Sequence, residues 1–167
     1  MVDENILNLL IQEKKIDETV SYINSSETRD KAIDLLLVKI ADTGDPWERH
    51  TIAMVLSDLK CGRAVDVLIP LINKYCGTDN YSGLVFALMN LDCADRLAEI
   101  AHLMYDGNYM VRRYMFDLLS GNWQRISSEE KKKIAESLAG YKAALDKETE
   151  TLSDKRDGIV LLMDELC

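Results

Sequence analysis

The chain has 167 residues, of which 47% are hydrophobic and 29% charged, so it can bury a core behind a polar surface. Its 8 glycines and 2 prolines are too few for a sheet protein, which needs turn residues between many short strands. The formal net charge of -9, from 20 basic and 29 acidic residues, disfavours nucleic acid and anionic membranes as direct ligands and favours a basic protein partner.

Apolar residues recur at helical spacing along almost the whole chain, and no segment has the pattern of a strand. Two short amphipathic segments are separated by a break near residues 13–15, and a clear apolar stripe runs through residues 32–40. Residues 43–46 end one helix and start the next, with Gly44 as a left-handed cap and Asp45 as the N-cap. Further helices are predicted at about 46–60, 63–76, 80–91, 94–105, 109–121, 128–149 and 155–167. The predicted fold class is therefore all-α.

The cysteines indicate neither a metal site nor a disulfide framework. They stand at positions 61, 76, 93 and 167, with no C-x-x-C pair and no histidine pattern near them. No signal-peptide pattern opens the sequence, and no apolar run approaches the length of about 18 residues that a membrane span needs. We therefore expect a cytoplasmic chain with reduced thiols, no membrane contact and no cofactor.

A repeat with a period of 31 to 32 residues is the strongest pattern in the chain. When Arg49, Tyr81 and Arg112 are aligned, three apolar positions coincide in each unit. These positions are Ile52, Leu84 and Met115, then Val55, Ala87 and Leu118, and finally Leu56, Leu88 and Leu119. In the helix that follows, Val65, Leu68, Ile69 and Ile72 match Leu97, Ile100, Ala101 and Met104. A single helical hairpin cannot bury both of its apolar sides, so stacked copies are expected.

Three segments of this repeat resemble HEAT repeats. Residues 43–53 are similar to the opening of a repeat's first helix, with Asp-Pro followed by Arg-x-x-x-Ala, and residues 62–71 are similar to a second helix. Residues 106–113 have the same kind of opening, a loop with an Asx residue that is followed by Val-Arg. In the middle unit, Tyr81 stands where the other two units have an arginine. The resemblance implies one domain over 1–167, a short right-handed solenoid of antiparallel helix pairs with about nine to ten helices. The clearest repeats are then 45–76, 79–105 and 108–149, with capping helices at both ends.

Pro70 is the one residue that conflicts with this pattern. It falls in the middle of the predicted helix 63–76, where proline costs about 3 kcal/mol through a lost hydrogen bond and a clash one turn earlier. The helix is therefore expected either to kink at Pro70, which we favour, or to divide into two shorter helices.

No catalytic or metal-binding motif is found in the sequence, and the two histidines, His50 and His102, stand apart from each other. The second helices carry acidic residues away from their apolar stripes, and the HEAT resemblance places those helices on a shallow concave face. The predicted partner-binding residues are Asp34, Asp66, Asp95, Glu99, His102, Asp106 and Tyr109. A uniformly acidic surface with no special face is the alternative.

These features favour a protein-binding inhibitor and not an enzyme. Short acidic HEAT-like chains resemble some immunity proteins of bacterial toxin systems, which implies that the chain masks the active site of a basic, nuclease-type toxin domain. One alternative is a HEAT-like adaptor or scaffold that binds a protein other than a toxin. A second alternative is a small-molecule-binding or lyase-like protein with its ligand in the groove. The oligomeric state stays open.

Overall fold

The structure is a computed structural model that describes residues 3–78, 81–145 and 159–160. Within these residues it contains nine α-helices, one 3-10 helix and no strand, which confirms the predicted all-α class. The elements are α1 (Glu4–Gln12), α2 (Ile16–Asn24), α3 (Arg29–Asp42), α4 (Pro46–Asp58), α5 (Ala64–Tyr75), α6 (Ser82–Leu88), the 3-10 helix (Ala94–Ile100), α7 (Leu103–Asp106), α8 (Tyr109–Asn122) and α9 (Ser128–Leu145). The predicted helix 155–167, apart from residues 159–160, and the end of the predicted helix 128–149 lie outside the described residues.

The chain divides into two compact units, Met1–Asp92 and Cys93–Cys167, and the division falls inside the predicted repeat 79–105. In the first unit, α4 packs against each of the other five helices, and α3 also packs against α5. In the second unit, α8 and α9 both pack against the 3-10 helix, and α7 packs against α8.

The positions that the repeat alignment identified form the core of both units. None of the nine aligned first-helix positions is more than 2% exposed, and none of the eight aligned second-helix positions is more than 4% exposed. Tyr81, which replaces an arginine in the middle repeat, is itself only 1% exposed. Helical spacing of apolar residues therefore identified the buried side of these segments correctly.

The helices α4 and α8 begin with the same kind of side-chain cap. The carboxylate of Asp45 accepts a hydrogen bond from the backbone N–H of Trp47 at 2.8 Å. The side-chain oxygen of Asn108 accepts one from the backbone N–H of Val111 at 3.0 Å. Each cap satisfies one of the backbone donors that the first turn of a helix leaves without a partner, which explains the Asx of the motif.

Four residues after each cap, an arginine returns to the preceding loop. Arg49 donates from Nη2 to the carbonyl of Thr43, and Arg112 donates from Nη1 to the carbonyl of Gly107, both at 2.8 Å. Arg49 is 5% exposed and lies over the ring of Tyr75, 3.8 Å from its centroid. The arginine of the motif thus fixes the loop that leads into the helix.

The left-handed cap expected at Gly44 is not formed. α3 ends at Thr43 in extended conformation, with φ -65° and ψ 132°, so the chain leaves the helix without a left-handed residue. Positive φ angles among the described residues occur instead at Lys14 (59°), Lys60 (54°) and Gly77 (83°). Lys14 separates α1 from α2 where the sequence predicted a break, and Lys60 lies two residues after the end of α4.

The segment 94–105 is not the single α-helix that we predicted. It consists of the 3-10 helix and, after Ala101 and His102, the one-turn helix α7. Four of its buried residues, Ala94, Leu97, Ile100 and Leu103, recur every three positions, which fits the three residues per turn of a 3-10 helix. The helix predicted over 80–91 is also shorter, since α6 ends at Leu88.

Pro70 lies inside α5, which continues from Ala64 to Tyr75, so the proline does not divide the helix. The backbone carbonyl of Asp66, one turn earlier, has no N–H of residue 70 to accept from. Pro70 and Asp66 are both exposed, so the proline lies on the outer side of the helix.

The helices α4 and α6 approach closely at Gly83. A Cβ at this position would lie 2.0 Å from Nδ1 of His50 on α4. Further along the same pair, the buried hydroxyl of Ser57 donates to the carbonyl of Ala87 at 2.8 Å. Burial lowers the pKa of His50 from its ordinary value of 6.5, because the imidazolium form is less well hydrated there.

We expect Gly83→Ala to lower the free energy of unfolding by about 1–3 kcal/mol, because the new methyl group displaces the His50 ring. The matched control is Gly121→Ala in α8, where a Cβ meets nothing within 4 Å. That control should raise the free energy of unfolding by about 0.5–1 kcal/mol through helix propensity. Urea denaturation measures both, and an equal effect of the two substitutions would contradict the close approach.

The lowered pKa of His50 predicts a pH dependence of stability. The unfolded chain binds the proton more readily than the folded one, so the contribution of His50 is complete above about pH 6.5 and is lost as the pH falls through the lower folded pKa. We expect the free energy of unfolding of the wild type to fall more steeply between pH 7 and pH 5 than that of His50→Gln. Parallel pH curves for the two proteins would rule out this contribution.

Candidate functional site

Two of the predicted acidic residues lie on the packed pair α3 and α5. The carboxylate of Asp34 on α3 accepts a hydrogen bond from Nη1 of Arg63 at 2.7 Å, and this bond is the main cause that raises the pKa of Arg63. Asp66 is exposed and lies three residues after Arg63, on the first turn of α5. The structure therefore brings a cation to this acidic face, which weakens its negative field.

The outer face of α3 is apolar as well as acidic. Leu35 is 37% exposed and Val38 is 63% exposed, one turn apart on the face that also carries Asp34. Scattered exposed apolar residues are normal on a protein surface, and these two are flanked by charge.

The predicted residues Asp95 and Glu99 do not share a face. In a 3-10 helix, residues three apart lie above one another, so Glu99 aligns with Arg96 and stands roughly a third of a turn away from Asp95. Glu99 accepts hydrogen bonds from Nε of Arg96 and, at 3.0 Å, from its Nη2, which lowers the pKa of Glu99. His102 is half-buried at the start of α7 and is not fully exposed as predicted.

The junction of α7 and α8, which includes the short loop 107–108 and the residues next to it, presents the most exposed aromatic side chain of the second unit's described residues. Tyr109 is 65% exposed, Met110 is 46% exposed, and Asp106 is exposed at the end of α7. We call these three residues the α7–α8 loop surface. It contains two of the residues predicted from the sequence, and Met110 is the member that the sequence did not indicate.

This loop is held in one conformation by its neighbours. Gly107 is buried and donates from its N–H to the carbonyl of Leu103 at 3.0 Å. A Cβ at Gly107 would lie 2.4 Å from that carbonyl oxygen and 2.7 Å from Cγ1 of Val111, so only glycine fits. Together with the Asn108 cap and the bond from Arg112, these contacts fix the backbone beneath Tyr109.

Two further tyrosines lie beside this loop. The rings of Tyr105 and Tyr141 stack with centroids 5.2 Å apart and an interplanar angle of 15°. Burial, and after it the charge of Asp106, raises the pKa of Tyr141. The carboxylate of Asp106 therefore stands next to aromatic side chains from two helices.

A second exposed aromatic residue was not among the predicted site residues. Trp47 is 56% exposed in the first turn of α4, and Nζ of Lys14 lies 4.6 Å from the centroid of its ring. The signal was the sequence Asp-Pro-Trp, because the cap Asp45 places the next residues in a first turn, whose side chains have fewer neighbours.

The structure shows no metal-binding group and no disulfide within its described residues. No cluster of three or more His, Cys, Asp and Glu side chains in this part of the chain could hold an ion. Cys61, Cys76 and Cys93 are free thiols. None of the helices described is both long and apolar enough to span a bilayer.

No protein-family model, curated protein or solved structure matches the chain. Function is therefore inferred from the exposed side chains of this chain, their charges and the rigidity of the backbone that holds them.

We expect Asn108→Ala to lower the free energy of unfolding by about 1 kcal/mol, because the backbone N–H of Val111 loses its acceptor. Asn108→Asp keeps an oxygen acceptor at the same place and should preserve stability. Hydrogen exchange at the amides of residues 109–112 reports the same loss locally. Equal stability of the alanine and aspartate variants would show that the cap does not hold the loop.

Proposed function

We propose that this chain binds a basic protein and that the α7–α8 loop surface supplies the aromatic anchor of the interface. The observation that carries the proposal is Tyr109, which is 65% exposed in the first turn of α8, directly after the loop that Gly107 and the Asn108 cap fix. Tyrosine is among the residues that contribute most to binding energy in protein interfaces. Because the loop is already ordered, little conformational entropy is lost when a partner covers it.

Charge supplies the second part of the proposal. The chain carries a net charge of -9, and Asp106 lies at the anchor itself. A negative surface speeds the encounter with a basic partner and fixes orientation, and it contributes less to the final affinity than the buried anchors do. Asp34 and Glu99 are less suited to this role, since each is already paired with an arginine.

A HEAT-like solenoid for helices α2 to α6 is also part of the proposal. From α2 onwards, each of these helices packs against the next helix and the next but one, as stacked helix pairs do. In such a stack α3 and α5 are the second helices of consecutive repeats. Asp34 and Asp66 would then lie on the concave face that the resemblance implies.

The more specific form of the proposal is an immunity protein that acts in the cytoplasm. In this form the partner is a nuclease-type toxin domain, and the bound chain covers its active site by occlusion, without any chemistry of its own. A nuclease assay of the partner, with and without the chain, separates inhibition from the scaffold alternative. An adaptor leaves the activity of its partner unchanged.

The experiment that tests the proposal is a pull-down from the native cell lysate with wild-type and variant chains as bait. We expect the wild type to retain a basic protein at low salt and to release it at high salt. Tyr109→Ala should weaken the affinity for that protein by at least about tenfold, because it removes an anchor. Asp106→Asn should mainly slow association.

The control for charge is Glu136→Gln, which removes one exposed carboxylate of the second unit from α9, where it lies 3.9 Å from Lys132. This variant should retain the partner as the wild type does. The proposal fails if no basic protein is retained, or if retention does not depend on Tyr109.

A further inference from the structure

A depression of about 270 Å³ lies where the turn after α1 faces the first turn of α4. Its lining residues are Ile11, Gln12, Lys14, Asp45, Trp47 and Glu48. Trp47 is one of these lining residues and is 56% exposed, so part of a large aromatic ring at the depression is accessible to solvent. Leu9, which is 53% exposed, lies one turn before Gln12 on the same side of α1 and extends the apolar surface.

The ring of Trp47 already holds a cation from the same chain. Nζ of Lys14 lies 4.6 Å from the ring centroid, within the distance at which an ammonium is attracted by the π-electrons. Lys14 reaches this place from a left-handed backbone conformation, with φ 59°, in the turn between α1 and α2. The lysine is exposed, so its ammonium can leave the ring for solvent at little cost.

Two carboxylates complete the environment of a cation in the depression. Asp45 accepts from the backbone N–H of Trp47 at 2.8 Å, and Glu48 pairs with Nζ of Lys39 at 3.0 Å and accepts from the hydroxyl of Thr43. A carboxylate has about four acceptor positions, so both retain capacity for another donor. Their charges also offset the positive end of the α4 dipole.

We propose that the depression receives an arginine side chain of the basic partner, which replaces Lys14 on the Trp47 ring. A guanidinium suits the place better than an ammonium, because it stacks flat on an indole and presents a fork of N–H donors to a carboxylate. This inference rests on the proposed function, since the arginine belongs to the basic protein. It concerns a surface of the first unit, separate in sequence from the α7–α8 loop surface of the second.

Lys14 is an internal competitor if this inference is right. Neutralising it should therefore strengthen the binding of an arginine peptide, by about threefold beyond any general effect of charge. Lys15 provides the matched control, because it is an exposed neighbour of Lys14 that pairs with Glu13 and not with the ring. Lys14→Gln and Lys15→Gln change the net charge equally, and only the first uncovers Trp47.

The experiment uses a synthetic arginine–glycine peptide as probe and a peptide of the same length with uncharged citrulline as reference. The chain has 2 tryptophans, so Trp123→Phe leaves Trp47 as the sole tryptophan, whose emission can be excited selectively. We expect a saturable change of its emission with the arginine peptide and none with citrulline. In isotope-labelled wild type, the indole N–H signals give the same reading by NMR without a substitution at position 123.

The inference is overturned if the Trp47 indole does not respond, or if Lys14→Gln and Lys15→Gln change the peptide affinity equally. Binding that depends on Tyr109 and Asp106 but survives Trp47→Ala overturns this inference and leaves the proposed function in place. The proposed function and the arginine inference can therefore fail independently. The pull-down measures whether retention of the partner depends on Tyr109, and that result does not depend on Trp47.

Discussion

The first unit is organised by α4, whose residues from Arg49 to Ser57 are all buried or half-buried. Because α4 packs against all five other helices of its unit, each polar group that it carries between Arg49 and Ser57 must find a partner inside the protein. The hydroxyl of Thr51 donates to the carbonyl of Trp47 at 3.0 Å, and that of Ser57 donates to the carbonyl of Ala87 at 2.8 Å. Close packing of α4 is helped by these two short hydroxyl side chains, which bond to backbone carbonyls, and by Gly83, which leaves room for the ring of His50.

Arg49 is the costly member of this helix, since a buried cation loses hydration that its contacts must replace. The carbonyl of Thr43 and the ring of Tyr75 take up that role, although Nε of Arg49 has no hydrogen-bond partner. The bond to Thr43 fixes the loop before α4, and the cap at Asp45 fixes its first turn. The position of Trp47 therefore depends on a buried charge two residues further along the helix, which links the stability of the core to the geometry of the exposed ring.

Much of the helical core could be predicted from the sequence, because burial follows the 3.6-residue period and the aligned positions proved to be buried. The prediction of a single α-helix over 94–105 was wrong for a physical reason. The apolar residues of this segment fit both the three-residue spacing of a 3-10 helix and the three-and-four spacing of an α-helix. The left-handed conformation was predicted at the wrong position, because Lys14 and Lys60 adopt a conformation that is usually expected of glycine. The ion pair of Asp34 could not be predicted from helical periodicity, because Arg63 reaches Asp34 from a segment 29 residues further along the chain.

Formal charge alone therefore overstates how acidic the predicted face is. Arg63 neutralises Asp34, and Arg96 neutralises Glu99. These two acidic candidates therefore contribute little to the negative field of the surface. Asp106 differs because its carboxylate stands beside aromatic side chains on a fixed loop. Rigid aromatic anchors determine how long a complex lasts, and long-range charge determines how fast it forms. An acidic chain of this kind selects a basic partner at encounter and retains it through a few rings, so salt should change the rate of association more than the rate of dissociation.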